Sequence, residues 1–446
     1  MILTREEAQA LTQRVLGMSH AEECRVSVNS GLQANTRFAD NGITTSGDST
    51  NDALVVRSTF GHRVGTASTN ILTDEGLRRV VDMSERIARL SPEDREFVGE
   101  LGPQQYRDVP AFFDRTANLD PAGRADAVNA CIETARRAGC TTAGFLTLGA
   151  GASCVANNKG LFGYHRQTIY AMTETVRTTD GTGSGWAGTA GNDWSRARPG
   201  ELAETATRKA QQSQNPVALE PGRYTVVLEP TAVANLLQLL NFSMQARAAD
   251  EGRSFFSKRG GGNRIGDKIV DERVTIVSDP WDPELLAAPF GPDGLPNRRM
   301  TWIENGVVRN LIYDRYWASQ KNVEPTGFPA GVRMQGGDGT VEDLVRATER
   351  GVLVTRFWYI RALDPRTILF TGLTRDGTFL IENGRISHPV KNFRFNESPI
   401  VMLSNLEAMG RPIRVSASES GDIGAAVVVP PIKTHDFNFQ SVSDAV

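Results

Sequence analysis

The sequence is poor in the residues from which most catalytic sites are built. Five histidines occur in 446 residues (His20, His62, His165, His388 and His435), and no two lie within a helical turn of each other. The spacings HExxH and HExxxH are absent, so no local zinc site is written in the chain, and only ligands gathered from distant positions would make one. Cysteine is scarce as well. Cys24, Cys131, Cys140 and Cys154 show neither CxxC spacing nor the density of a secreted scaffold, which points to reduced thiols and the cytoplasm. No run approaches the ~18 apolar residues of a membrane-spanning helix. The first residues, MILTREEAQALTQRVLG, are interrupted by charge from residue 5 and do not read as a signal peptide. A formal net charge of −3 without a Lys/Arg run leaves no basic footprint for nucleic acid or a membrane surface. Walker A and GxSxG spellings are missing, and nothing places a serine beside a base.

What is present alternates short strands with a few separated helices. That pattern is α+β with antiparallel sheets, not repeated βαβ units. Thr4 and Glu7 form a capping-box pattern ahead of Ala8, Leu11 and Val15, which predicts a first helix ending at Gly17. Short strands with turn signals follow over 25–67, Asn41-Gly42 marking one turn. A helix from Asp74 then carries Leu77, Val80, Val81, Ser84 and Ile87 on one face. Residues 91–120, punctuated by Pro and Gly, read as a linker or long loop and a possible subdivision. Asp120-Pro121 opens a helix over 121–138, strands resume at 142–148, 152–157 and 160–176, and a helix spans about 199–212. The stretch SQNPVALEPG (213–222) separates an N-terminal α+β domain, 1–215, from a C-terminal β-rich, barrel-like domain, 216–446. In the second half two helices are clear, at 231–249 and 340–350, and WIENGVV (302–308) and LIENGRI (380–386) each read as a hairpin about Asn-Gly.

Three clusters invite a functional reading. Gly183-Ser184-Gly185-Trp186-Ala187-Gly188 spells a dinucleotide fingerprint, but that motif must follow a strand and open a helix. Thr189-Ala190-Gly191-Asn192 is poor helix material, so 181–191 is expected to be a flexible loop with Trp186 as its anchor or lid. Over 355–384, arginines interleave with aromatic and acidic residues. Half-buried strands with a solvated face look like this, and so does a groove for an extended peptide, in which aromatics form pockets and arginine binds a terminal carboxylate. The groove candidates are Arg356, Trp358, Tyr359, Arg361, Arg375 and Asp376. Lys258-Arg259-Gly260-Gly261-Gly262 is simplest as a solvated loop.

Residues 223–256, RYTVVLEPTAVANLLQLLNFSMQARAADEGRSFF, carry the strongest signal. A strand from Tyr224 to Leu228 runs through Glu229-Pro230 into a helix that ends before Gly252 and a Ser-Phe-Phe. This arrangement resembles the TldD/PmbA family of metallopeptidases, also called the TldD/TldE or modulator-of-gyrase family. The paired IENG hairpins and the PVKNFRF stretch resemble it in the same order. In metal-bearing members the helix carries His-Glu-x-x-x-His. Aligned back from Gly252-Arg253-Ser254-Phe255, those positions fall at about Leu237, Gln238 and Phe242. Leucine and phenylalanine cannot bind zinc, and a neutral amide cannot act as a general base. The family's cysteine ligand near the C-terminus is also replaced, by GDIGAAVVVPP (421–431). The resemblance implies a dimerising, metal-free TldE/PmbA-type subunit with no catalytic residue, metal or cofactor of its own. Zinc is expected in a TldD-type partner, the pair acting on unfolded or small peptides in proteolysis or peptide maturation. Two alternatives stand beside it: a self-sufficient hydrolase with an unrecognised metal or nucleophile, and a homodimeric peptide-binding protein.

Overall fold

Thr4 opens the chain's first helix as its capping-box pattern predicts. Its hydroxyl accepts from the Glu7 N–H while the Glu7 carboxylate accepts from the Thr4 N–H at 2.8 Å. The structure is a computed structural model and describes residues 2–418 and 426–444. After α1 (Arg5–Leu16) come β1 (Glu23–Ala39), β2 (Gly42–Phe60), β3 (Arg63–Thr69) and α2 (Asp74–Leu90). There follow α3 (Asp114–Ala117), α4 (Pro121–Arg137), β4 (Cys140–Asn157), β5 (Phe162–Thr178), β6 (Ser184–Gly191) and α5 (Pro199–Gln212). The six strands form one antiparallel sheet, ordered β3-β2-β1-β4-β5-β6. Alternate apolar residues of β1, β2, β4 and β5 point to one face, which α1 and α2 cover at one end and α4 and α5 at the other.

Two expectations for this half differ from the structure. The short strands are long ones: β1 has 17 residues and β2 has 19, because polar residues such as Thr45, Ser49 and Asn51 stay in register with β1 instead of breaking it. Likewise 142–148 and 152–157 are parts of the single strand β4. The glycine-rich stretch 181–191 is not a flexible loop, since most of it is β6, paired along its length with β5. Its glycines serve close approach. A Cβ on Gly183 would lie 2.3 Å from the Ala210 carbonyl oxygen and one on Gly185 2.1 Å from that of Ala206, so α5 rests directly on the strand backbone.

The second half contributes β7 (Gly222–Leu228), α6 (Pro230–Ser243), α7 (Ala246–Asp250), β8 (Ile276–Ser278), β9 (Met300–Glu304), β10 (Val307–Val308), α8 (Arg315–Lys321) and β11 (Val332–Met334). It continues with α9 (Val341–Arg346), β12 (Arg350–Asp364), β13 (Leu369–Glu382), β14 (Arg385–Pro389), β15 (Asn392–Glu397) and α10 (Pro399–Ser404). The last elements are β16 (Leu406–Met409), β17 (Ile413–Ser416), β18 (Ala426–Val429) and β19 (Ile432–Ser443). Strands β12, β7, β19, β15 and β13 pair in that order, and β13 pairs back with β12, closing a barrel. A second sheet runs β10-β9-β8-β11-β18-β17. Helix α6 is apolar nearly all round and joins Trp302 of that sheet and Phe357, Phe395 and Phe437 of the barrel in one core.

The IENG segments are hairpins whose Asn305-Gly306 and Asn383-Gly384 are all left-handed. The helix predicted over 231–249 is interrupted. The chain leaves it after Ser243 to pair with Ile312, whose carbonyl accepts from Ala246, and turns once more as α7. The helix predicted over 340–350 stops at Arg346, because β12 begins at Arg350.

Candidate functional site

Helix α6 carries the positions at which the metal motif would lie. Asn235 and Gln238 are the two polar side chains of the run 232–240. Asn235 accepts from the Phe357 N–H at 3.1 Å and donates to the Ala417 carbonyl at 2.9 Å. Gln238 donates to the same carbonyl at 3.1 Å. Asn235 thus pins α6 to β12, and both amides pin it to Ala417. Leu237 is 1% exposed and lies in the core, whereas Phe242 is 58% exposed and packs its ring against Phe328 at 6.0 Å. A buried leucine, an amide already hydrogen-bonded and a solvent-facing phenylalanine do not fit a zinc ion. Among the described residues no three His, Cys, Asp or Glu side chains are grouped to hold a metal. Of the stretch 421–431, residues 421–425 lie outside the described residues.

Beside α6 the β12–β13 hairpin is bent by register shifts at Val354/Arg356, Trp358/Arg361 and Ala362/Asp364. Tyr359 and Asp376 adopt left-handed backbone there, φ 54° and 55°, an uncommon conformation for a bulky residue. The bends bring all the sequence candidates into one linked row. Arg356 lies over the Trp186 ring at 4.4 Å and faces Asp376 at 3.5 Å, with side-chain exposures of 6% and 2% for the ion pair. Asp376 also accepts from the Ser184 hydroxyl at 2.6 Å. Arg375 approaches Asp376 at 3.9 Å and covers the Trp358 ring at 4.4 Å. Trp358 packs on Tyr359 with centroids 5.5 Å apart, and Arg361 covers Tyr359 at 4.1 Å.

Burial divides this row. Trp186, Arg356 and Asp376 are buried, and Trp186 belongs to the wall of β6, not to a loop over it. Trp358 is half-buried, while Tyr359 and Arg361 are exposed. The inner three therefore hold the first sheet against the barrel, and the outer residues offer flat aromatic and guanidinium surfaces. A cavity of about 150 Å³ adjoins the inner end, where Asp376, Ser184, Ser213 and Asn392 supply polar walls. Asn235 and Ser184 were missed as site residues. Asn235 carried a signal, an amide inside an apolar helix, whereas Ser184 acquires its partner from 192 residues away. The loop at Lys258 is a tight turn in which Lys258 pairs with Asp267 at 2.9 Å.

Comparison with known proteins agrees with this architecture from end to end. Residues 24–88 match the model of PmbA/TldA metallopeptidase domain 1, 115–214 that of the central domain, and 221–441 that of the C-terminal domain. The metalloprotease PmbA of Escherichia coli O157:H7 is 23% identical over 412 residues, 89% of this chain and 87% of that protein. A metalloprotease of Methanothermobacter thermautotrophicus is 24% identical over 250 residues, 51% of this chain and 52% of that protein. The crystal structure of TldE from Thermococcus kodakarensis superposes with a TM-score of 0.85 at 20% identity, covering 97% of this chain and 99% of that one, a likeness that shows the fold. With its three consecutive domains matched and its fold shared, the chain belongs to the PmbA/TldD metallopeptidase family.

Proposed function

We propose that this chain is the metal-free, TldE/PmbA-type subunit of a TldD/TldE-like metallopeptidase complex that acts on unfolded or small peptides, in proteolysis or peptide maturation. The observation that carries the proposal is α6, where Leu237, Gln238 and Phe242 stand at about the metal-motif positions and are committed to packing, a hydrogen bond and solvent respectively. On this reading the chain brings no catalytic residue and no metal. Zinc in a TldD-type partner would supply the Lewis acid and the activated water. This chain would hold substrate, with Trp358, Tyr359, Arg361 and Arg375 as the outer groove wall, and with Arg356, Asp376 and Trp186 fixing that wall to the first sheet. The reading places the pair in the cytoplasm. Its four cysteines are unpaired and buried, and among the described residues no helix is long and apolar enough to cross a membrane.

The test combines metal analysis with reconstitution. Purified alone, the chain is expected to carry far less than one zinc per molecule and to leave an unstructured peptide intact. Mixed with a zinc-bearing TldD-type subunit it should co-elute and support hydrolysis. Near-stoichiometric zinc with chelator-sensitive hydrolysis by the chain alone would overturn the proposal.

A further inference from the structure

A cleft lies at the other end of α6. It measures about 490 Å³, within the range of small-ligand sites, and is enclosed by α5, the first residues of α6, α9 and the β13–β14 hairpin. Eight residues separate Pro230 in this cleft from Gln238, roughly 12 Å along a helix, so the cleft is distinct from the metal-motif region. Buried Val345, Leu353 and Phe379 make part of its lining apolar, and Ile386 and Ile413 stand exposed among the lining residues.

The polar part is basic. Lys209 has a side chain only 9% exposed, and its ammonium donates to Glu229 at 2.6 Å. An ammonium has three donors, and among the described residues this is the single bond it makes. Burying such a group is favourable only when its remaining donors are satisfied. Arg208 and Arg385, both exposed, also line the cleft and have no ion-pair partner among the described residues. Arg346 is held by Asp343 at 2.7 Å. The lining therefore holds four cations against the carboxylates of Glu229 and Glu342, in a chain whose net charge is −3.

We infer that this cleft receives the C-terminal end of a peptide. The terminal carboxylate is taken by Lys209 with Arg208 or Arg385, and an apolar last side chain lies on Leu353 and Phe379. A ligand with one anionic end and an apolar body matches the charge excess and the apolar lining together. An uncharged chain end would bring no countercharge to the basic lining. The choice of a peptide rests on the peptidase-subunit reading above.

Calorimetric titration of the isolated chain with acetyl-Ala-Ala-Leu, its C-terminal amide and inorganic phosphate tests the inference. The free acid is expected to bind, the amide to bind at least about tenfold more weakly, and phosphate to give no measurable heat. The surface double variant Arg208→Ala/Arg385→Ala should weaken the acid about tenfold with an unchanged circular dichroism spectrum. Lys209→Met combined with Glu229→Gln should abolish the preference for acid over amide without leaving a lone buried charge. Equal affinity for acid and amide, no binding of the acid at millimolar concentration, phosphate binding in its place, or an unaffected arginine variant would each overturn it. Reconstituted hydrolysis without acid binding here sinks this inference alone, whereas acid binding by a chain that never supports hydrolysis sinks the subunit reading alone.

Discussion

Asp376 has both carboxylate oxygens committed, one to the Ser184 hydroxyl and one facing the Arg356 guanidinium, and its backbone is held at φ 55°. Removing one member of a buried ion pair costs more than the pair contributes, because the other charge stays desolvated. Asp376→Ala is therefore expected to lower unfolding free energy by about 3 kcal/mol in urea titrations. Ser184→Ala, which deletes one hydrogen bond, should cost about 1 kcal/mol.

His165 gives a pH dependence. Burial lowers its pKa from 6.5 to about 4, and its Nε2 has no partner among the described residues. The native state thus prefers the neutral ring. Stability is present above pH 6.5, where both states are neutral, and is lost as the unfolded state gains its proton between pH 6.5 and about 4. The loss reaches about 3 kcal/mol. Glu174 and Glu397 act in the opposite sense. Burial raises their pKa values, so their contribution is full below 4.5 and fades as pH rises through the raised values. The difference between wild type and His165→Gln across that range isolates the histidine. A parallel pair of stability curves would refute the assignment.

Among elements, α6 and β6 show what a sequence does and does not disclose. The start of α6 at Pro230 and the two Asn-Gly hairpins are set by neighbours in the chain, and they fall where local chemistry places them. β6 is decided elsewhere. Its glycines look like flexibility until α5 is laid on them, and α5 reaches them only after the chain has turned back at 192–198. The same holds for the arginine–aromatic row, whose residues could be named from the sequence but whose inner and outer halves could not be told apart. That division depends on Trp186, 170 residues before Arg356. Gly185→Ala is expected to destabilise through the 2.1 Å approach to Ala206, by about 1–3 kcal/mol. On α6, Leu237→Ala should cost about 2–5 kcal/mol and Phe242→Ala less than about 0.5 kcal/mol. Comparable losses at both positions would mean that the helix is rotated from the orientation described.

Across the whole molecule, contacts between the halves are spread along the chain. Tyr106 donates to the Gly294 carbonyl at 2.6 Å, Arg315 to that of Gly99 at 2.7 Å, and Arg414 to the Tyr170 hydroxyl at 3.2 Å. Bonds so dispersed couple the first sheet to the barrel, and a single calorimetric unfolding transition is expected. Two resolved transitions would show that the halves unfold independently. The closed barrel adds a constraint of a different kind. β7, its first strand in sequence, sits between β12 and β19, and β19 is its last. During synthesis β7 waits for β19 with an open edge while some two hundred residues are made, and β15 joins it only shortly before β19 follows. The barrel closes only once β19 is made, and a chain cut short before Ile432 is left with two unpaired edges, open to pairing with another copy of itself.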